Sequence, residues 1–268
     1  MVELIKYNIA YYHIKLQNDY IYGEIVILGI DIGSTTTKMV LMDDKNIVDY
    51  IVRNIGVIVE EEDVLKMVEE FNEKYDIDKI VATGYGRHKI SFADKIVPEV
   101  IALGKGANYF FKEAEGVIDI GGQDSKVIKM DHDGNVIDFI LSDKCAAGTG
   151  KFLEKCIDIL KIDDDLNKYK SDDIAKISSM CAVFAESEII SLLSKKTPKE
   201  DILMGVYESI SNRIVPMANK MKMNNIVFSG GVAKNSVLIE VLENKLNKKL
   251  LVPEEPQIVC CVGACLMI

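Results

Sequence analysis

One pattern that could do chemistry occurs twice: an apolar run ending in aspartate, a Gly-rich polar turn, then a second apolar run. The copies are Leu28-Gly-Ile-Asp31-Ile-Gly33-Ser34-Thr35-Thr36-Thr37-Lys38 and Val117-Ile-Asp119-Ile-Gly121-Gly122-Gln123-Asp124-Ser125-Lys126, with Asp31 and Asp119 88 positions apart. Such hairpins suit phosphate. Glycine lets the backbone approach closely, and the N–H groups of the turn make a concavity for an anion. Aspartates at the strand ends can hold Mg²⁺ through water. The candidate phosphate ligands are Gly33, Ser34, Thr35, Thr36 and Lys38 in the first copy and Gly121, Gly122 and Gln123 in the second. Asp31 and Asp119 are the candidate metal carboxylates, and Gln123 or Asp124 would orient an attacking water. A lone Asp-x-Gly is often only a tight turn; two matching copies read as nucleotide binding.

A third element, Val227-Phe-Ser-Gly230-Gly231-Val232-Ala233-Lys-Asn235, delivers two glycines from a strand to a helix start. That arrangement lets a nucleoside lie against bare backbone, although packing alone also explains strand-to-helix glycines. Gly148, Thr149 and Gly150 add a further Gly-rich loop. This loop is not a Walker A motif, which would need Gly at 145 and Ser or Thr at 152, where the chain has Cys145 and Phe152.

Two cysteines stand out by context. Cys145 opens that loop, and Cys181 lies in Ser-Ser-Met-Cys181-Ala-Val-Phe-Ala-Glu186-Ser-Glu188. Thiolates ligate iron–sulfur clusters, usually four at a time, and a two-fold dimer of a chain with two such cysteines would supply four. Their spacing alone reads more readily as buried thiols. Cys156 reads as a core or surface thiol, and Cys260, Cys261 and Cys265 as packed small residues, with a second metal site from these three as the alternative. His13, His88 and His132 fall in turn-like or N-terminal settings and are assigned no metal.

The elements that must position these residues are legible from periodicity. Strands are expected at residues 25–32, 37–42, 47–52, 79–83, 116–120, 125–130, 136–141, 225–229 and 250–252. Helices are expected at 61–75, 100–111, 149–160, 181–194, 199–223, 236–248 and 257–268. Asp131-His-Asp-Gly134 is a hairpin turn. The domain reading is an extension over residues 1–25, an N-terminal lobe with the phosphate hairpins over 26–145, and a more helical C-terminal lobe with the adenosine motif over 146–268.

Bulk properties bound the class. The chain has 268 residues, 49% of them hydrophobic and 28% charged, as in an ordinary globular protein. A net charge of −10 argues against nonspecific nucleic-acid binding. Glu24 and Asp31 interrupt the longest apolar stretch, so no membrane span is expected. Six cysteines without framework spacing point to a reducing cytoplasm.

With these residues in view, the chain resembles the activators of 2-hydroxyacyl-CoA dehydratases and the related benzoyl-CoA reductase ATPase subunits, within the actin, sugar kinase and heat-shock chaperone superfamily. The matching stretches are Gly29 to Lys38, Thr83-Gly-Tyr-Gly-Arg87, Val117 to Lys126, Asp143 to Gly150, Val183 to Glu188 and Gly230 to Asn235. The resemblance implies an α/β, two-lobed actin-like ATPase, a duplicated ribonuclease H-like fold, with ATP or ADP and Mg²⁺ in the cleft. It also implies a homodimer sharing one [4Fe–4S] cluster on Cys145 and Cys181. A ferredoxin or flavodoxin would supply the electron, and an iron–sulfur dehydratase or reductase would receive it. Cys145 precedes a helix start, which favours added negative charge; lowering a one-electron potential by ~200 mV needs about 5 kcal/mol. Two stretches depart from the family pattern: Leu103 replaces an expected histidine, and Cys260-Cys261 replaces an expected Gly-Ala. Neither lies in the cysteine loops or the phosphate turns by sequence. The competing readings are a sugar or acyl kinase of the same fold, a nucleotide-dependent switch, and a reductive activator of some other metalloenzyme.

Overall fold

The computed structural model describes residues 25–142, 148–162, 166–177 and 182–268. Cys145 and Cys181 lie outside the described residues, as does the expected extension up to residue 24. The described elements form two five-stranded mixed sheets with helices around and between them.

The first sheet contains β1 (Val26–Ile32), β2 (Thr37–Asp43), β3 (Asn46–Arg53), β4 (Lys79–Thr83) and β5 (Lys95–Ile96), in the order β3-β2-β1-β4-β5. β1 is buried along its whole length, as its continuous apolar sequence requires of a strand covered on both faces. Helix α1 (Glu61–Asn72) turns Val64, Met67, Val68 and Phe71 onto one side of this sheet. The second sheet contains β6 (Gly116–Ile120), β7 (Ser125–Met130), β8 (Val136–Ser142), β9 (Ile226–Ser229) and β10 (Leu250–Leu251), in the order β10-β9-β6-β7-β8. Helices α3 (Gly150–Leu160), α4 (Ala182–Ser194), α5 (Lys199–Met221) and α6 (Ser236–Leu246) share its outer core. Thus β6, β7 and β8, which fall within the expected 26–145 lobe, hydrogen-bond with the strands that follow. The change of sheet comes between Ile96 and Gly116.

The two sheets are built to one plan. Asp31 faces Lys38 across an antiparallel pair and Thr83 across a parallel one. Asp119 faces Lys126 and Ser229 in the same two ways. Gly33 N–H donates to Thr36 O at 2.9 Å, and Gly121 N–H to Asp124 O at 3.0 Å, closing equivalent turns. Gly84 and Gly230 follow the parallel strands at φ +85° and +87°, and a Cβ on either would collide with the carbonyl of Ile32 or Ile120. Only glycine fits such a position without strain.

A third core lies between the sheets, where α2 (Glu99–Phe110) crosses α7 (Val259–Cys265). A Cβ on Gly106 would overlap Val259 O, and one on Gly263 would overlap Ala102 O. Gly106 with Gly263, and Ala102 with Val259, are both 157 positions apart, so this crossing repeats the plan once more. Several helices are shorter than periodicity alone suggests, α5 and α7 among them. Lys222 enters the left-handed region at φ +52° and stops α5 at Met221. The Glu255 carboxylate accepts from Gln257 N–H at 3.0 Å, so the chain turns there and α7 starts at Val259. Among the described residues no helix is long and apolar enough to cross a membrane.

Candidate functional site: an interlobe nucleotide cleft

The two hairpin turns and the strand-to-helix glycines converge on one cleft of about 420 Å³, within the range of small-ligand sites. Asp31, Gly33, Ser34, Thr35, Thr36 and Lys38 line it from the first sheet. Asp119, Gly121, Gly122, Asp124, Gly150, Gly230, Gly231, Val232 and Asn235 line it from the second. The turns touch across it: a Cβ added to Gly122 would overlap the Thr35 side chain.

Four of the expected residues do not line the cleft. Gln123 sits exposed at the turn tip, and Gly148, Thr149 and Ala233 are buried behind it. Ala233 belongs to the short 3₁₀ turn Gly231–Lys234, which leads into α6. Asn235 lines the cleft while capping α6: its Oδ1 accepts from Leu238 N–H and its Nδ2 donates to Tyr207 Oη, both at 3.0 Å.

At the floor, charge is concentrated. Lys38 Nζ lies 3.0 Å from Asp31 Oδ2. Lys126 Nζ lies 2.9 Å from Glu99 Oε1, 2.7 Å from Asp124 Oδ2 and 3.6 Å from Asp119 Oδ2. Ser229 Oγ donates to Asp119 Oδ1 at 2.7 Å. Burial opposes both ammonium groups, but the carboxylates beside them win and hold both pKa values above the usual lysine range. Burial pushes the Glu99 carboxyl up to about 7, against the pull of Lys126 and with the help of Asp31 and Asp119.

The floor therefore sets four carboxylates, Asp31, Glu99, Asp119 and Asp124, against two ammonium groups, Lys38 and Lys126. Asp31 Oδ1 is buried without a hydrogen-bond partner, a costly state for a carboxylate oxygen. This excess of carboxyl over ammonium groups, beside an unpartnered carboxylate oxygen, fits Mg²⁺. That ion is typically held by one or two carboxylates plus substrate phosphates. Cys145 and Cys181, the proposed thiolates, lie outside the described residues, and among the described residues no three His, Cys, Asp or Glu side chains converge on a metal position.

Sequence reasoning missed the far wall and part of the floor. Leu153 and Ile157 of α3, with Leu166, make an apolar wall beside Gly231 and Val232, and Pro256 and Gln257 complete it. The spacing of α3 signals a buried face but not which cavity that face meets. Lys126 stood in a quoted motif without an assigned role, and Glu99, the first residue of α2, was assigned none. The two departures from the family pattern also belong here: Leu103 and Cys260 both line the cleft. They are 157 positions apart and so equivalent on the two crossing helices. Cys260 Sγ is 3.8 Å from Thr83 Oγ1. Burial and the neighbouring Asp31, Glu99 and Asp119 push its thiol well above the ordinary range.

Paired hairpins of the ribonuclease H type, closing from two sides on one phosphate cleft, define a two-lobed actin-like ATPase fold. The chain belongs to the BadF/BadG/BcrA/BcrD ATPase family, whose model matches residues 28–267. An uncharacterised protein of Methanocaldococcus jannaschii is 76% identical over 243 residues, covering 90% of this chain and 100% of that one. The (R)-2-hydroxyglutaryl-CoA dehydratase activating ATPase of Acidaminococcus fermentans is 38% identical over 248 residues, covering 89% of this chain and 95% of that one. Among solved structures, the activator of the 2-hydroxyisocaproyl-CoA dehydratase from Clostridium difficile with bound ADPNP matches with a TM-score of 0.85 and 37% identity. That match covers 91% of this chain and 94% of the other.

Proposed function

We propose that this protein is a cytoplasmic ATP-hydrolysing activator that drives a low-potential electron into an iron–sulfur dehydratase or reductase of the 2-hydroxyacyl-CoA type. The observation that carries the reading is the pair of equivalent Asp–Gly hairpins facing each other across the cleft. In register and turn geometry they are what a triphosphate needs from two lobes. The adenosine would lie on Gly230 to Val232 against Leu153, Ile157 and Leu166. The turns at Gly33 to Thr36 and Gly121 to Gly122 would hold the phosphates through backbone N–H groups. Asp31 and Asp119 would hold Mg²⁺, which supplies charge neutralisation at the phosphates when bound. Lys126 fixes Asp124 beside that position, and Asp124 would orient the attacking water. Cys145 and Cys181 would give two thiolates per chain, so that a homodimer holds one [4Fe–4S] cluster, the group that supplies one-electron chemistry when bound. A ferredoxin or flavodoxin would be the donor. The activator and ATPase roles of the relatives support the reading.

The test is anaerobic purification with iron and nucleotide analysis. The expected result is a brown homodimer with about four iron atoms per dimer and Mg²⁺-dependent ATP hydrolysis. A protein that hydrolyses ATP but stays iron-free after reconstitution would refute the electron-transfer reading.

A further inference from the structure

The N-cap of α6 carries more chemistry than a cap needs. Asn235 follows the 3₁₀ turn Gly231–Lys234, and its Oδ1 accepts from Leu238 N–H at 3.0 Å. An acceptor oxygen is all that capping requires, and serine or aspartate supplies it as well as asparagine does. The amide nitrogen is therefore surplus to the helix. With Oδ1 committed to Leu238, the sense of the amide plane is fixed, and Nδ2 donates to Tyr207 Oη at 3.0 Å.

Tyr207 belongs to α5 and is fully buried in the outer core of the second sheet. Its hydroxyl is thus a fixed post behind the cap. Asn235 is held along its backbone as well: its N–H donates to Val232 O, and Ile239 N–H donates to its carbonyl, both at 3.0 Å. On its other side Asn235 lines the cleft beside Gly230, Gly231 and Val232. The first lobe departs from its usual symmetry here. Gly84 and Gly230 are 146 positions apart, which makes Lys89 the counterpart of Asn235. Lys89 does not line the cleft; its Nζ donates to Val59 O at 3.1 Å. The amide–hydroxyl pair belongs to the lobe on which the nucleoside would lie.

We propose that Tyr207 is a positioning residue for the nucleoside. An asparagine amide nitrogen carries two hydrogens. Tyr207 accepts one of them, and in doing so aims the other into the cleft as a donor to a ring nitrogen or ribose oxygen of the adenosine. This inference rests on the nucleotide reading of the cleft and names what orients the nucleoside within it. Without the Tyr207 hydroxyl a buried N–H loses its partner, which is a costly state. The amide then turns to satisfy that hydrogen at the expense of the ligand.

The test is calorimetric titration of the full-length protein with ADP. Tyr207→Phe should weaken binding about tenfold, equivalent to about 1.4 kcal/mol. Asn235→Ser keeps a capping oxygen and loses the amide, so it should weaken ADP by a similar factor. In the double variant the tyrosine substitution should add less than about twofold, because no amide is left to orient. In steady-state ATP hydrolysis the loss from Tyr207→Phe should fall on KM rather than kcat, as a contact made equally in the ground and transition states requires. An unchanged ADP affinity in either single variant, a Tyr207→Phe loss that persists undiminished in the Asn235→Ser background, or a loss carried by kcat overturns the inference and leaves the nucleotide reading standing. A wild type that binds neither ADP nor ATP overturns both.

Discussion

The contact between Gly122 and Thr35 makes cleft geometry testable with one methyl group. In Gly122→Ala the new Cβ would overlap Thr35 Oγ1 and Cγ2 and lie 2.9 Å from Thr35 Cβ. Rotating the threonine side chain relieves the first two overlaps but not the third, since Cβ does not move with χ1. Carbon atoms in contact need about 3.5–4.0 Å, so the two phosphate turns must part by roughly 1 Å. A misplacement of that size costs on the order of 10²-fold in rate, or about 2.7 kcal/mol of transition-state stabilisation. Steady-state phosphate release should therefore show kcat/KM for ATP reduced by about a hundredfold. In a Thr35→Gly background the obstruction is gone, and the same substitution should cost less than about threefold, a coupling that a double-mutant cycle isolates. Gly122→Ala turning over at close to the wild-type rate, or losing the same hundredfold in both backgrounds, would refute the idea that the turns meet at this point during hydrolysis.

Asp119→Asn should raise the Mg²⁺ concentration needed for half-maximal ATP hydrolysis by at least tenfold, about 1.4 kcal/mol, and leave the iron content unchanged; a magnesium titration checks the first and iron analysis the second. Cys145→Ser and Cys181→Ser should each abolish iron binding, whereas Cys156→Ser and Cys265→Ser keep it. Burial lifts the thiols of Cys156 and Cys265 to about 12. Below that value the protonated form dominates, so at pH 8 roughly one molecule in 10⁴ carries the reactive thiolate. Iodoacetamide should leave both unlabelled in the folded protein, read by mass spectrometry, and label them only on unfolding. Gly263→Ala should lower the urea midpoint by about 1–3 kcal/mol of stability through overpacking against Ala102; an unchanged midpoint would show that α2 and α7 have room to slide.

The convergence of the two hairpins on one cleft was legible because each hairpin is local. Aspartate, turn glycine and lysine lie within eight residues, and a duplicated copy removes the ambiguity of one. Cross-sheet partners were not legible in the same way. Nothing in the residues around Leu166 or Gln257 says that they meet the glycines at 230–231, because that meeting depends on how α3 and the strand-to-helix turn pack on the second sheet. Glu99 stands in a helix whose periodicity announces only a buried face. Its approach to Lys126 follows from α2 lying between the sheets. Leu103 and Cys260 are the sharper lesson. As departures from a motif they were set apart from the phosphate chemistry, yet the crossing of α2 and α7 brings both to the cleft. Their equivalence emerges only when Gly106 and Gly263 are seen to take the same role against opposite helices. The change of sheet before Gly116 was hidden for a related reason: hairpin periodicity identifies strands but not the neighbours they pair with.

The placement of α7 bears on how the protein is made. Val259 to Cys265 pack with Ile27, Val40, Met42 and Val81 of the first sheet, so one face of that sheet stays uncovered until the last helix has left the ribosome. Translation at roughly 5–20 residues per second puts the interval between Ile96 and Cys265 at about 10–30 s. During that time the helix that packs on this strand surface among the described residues is still to be made. Slow codons late in the message would lengthen that exposure.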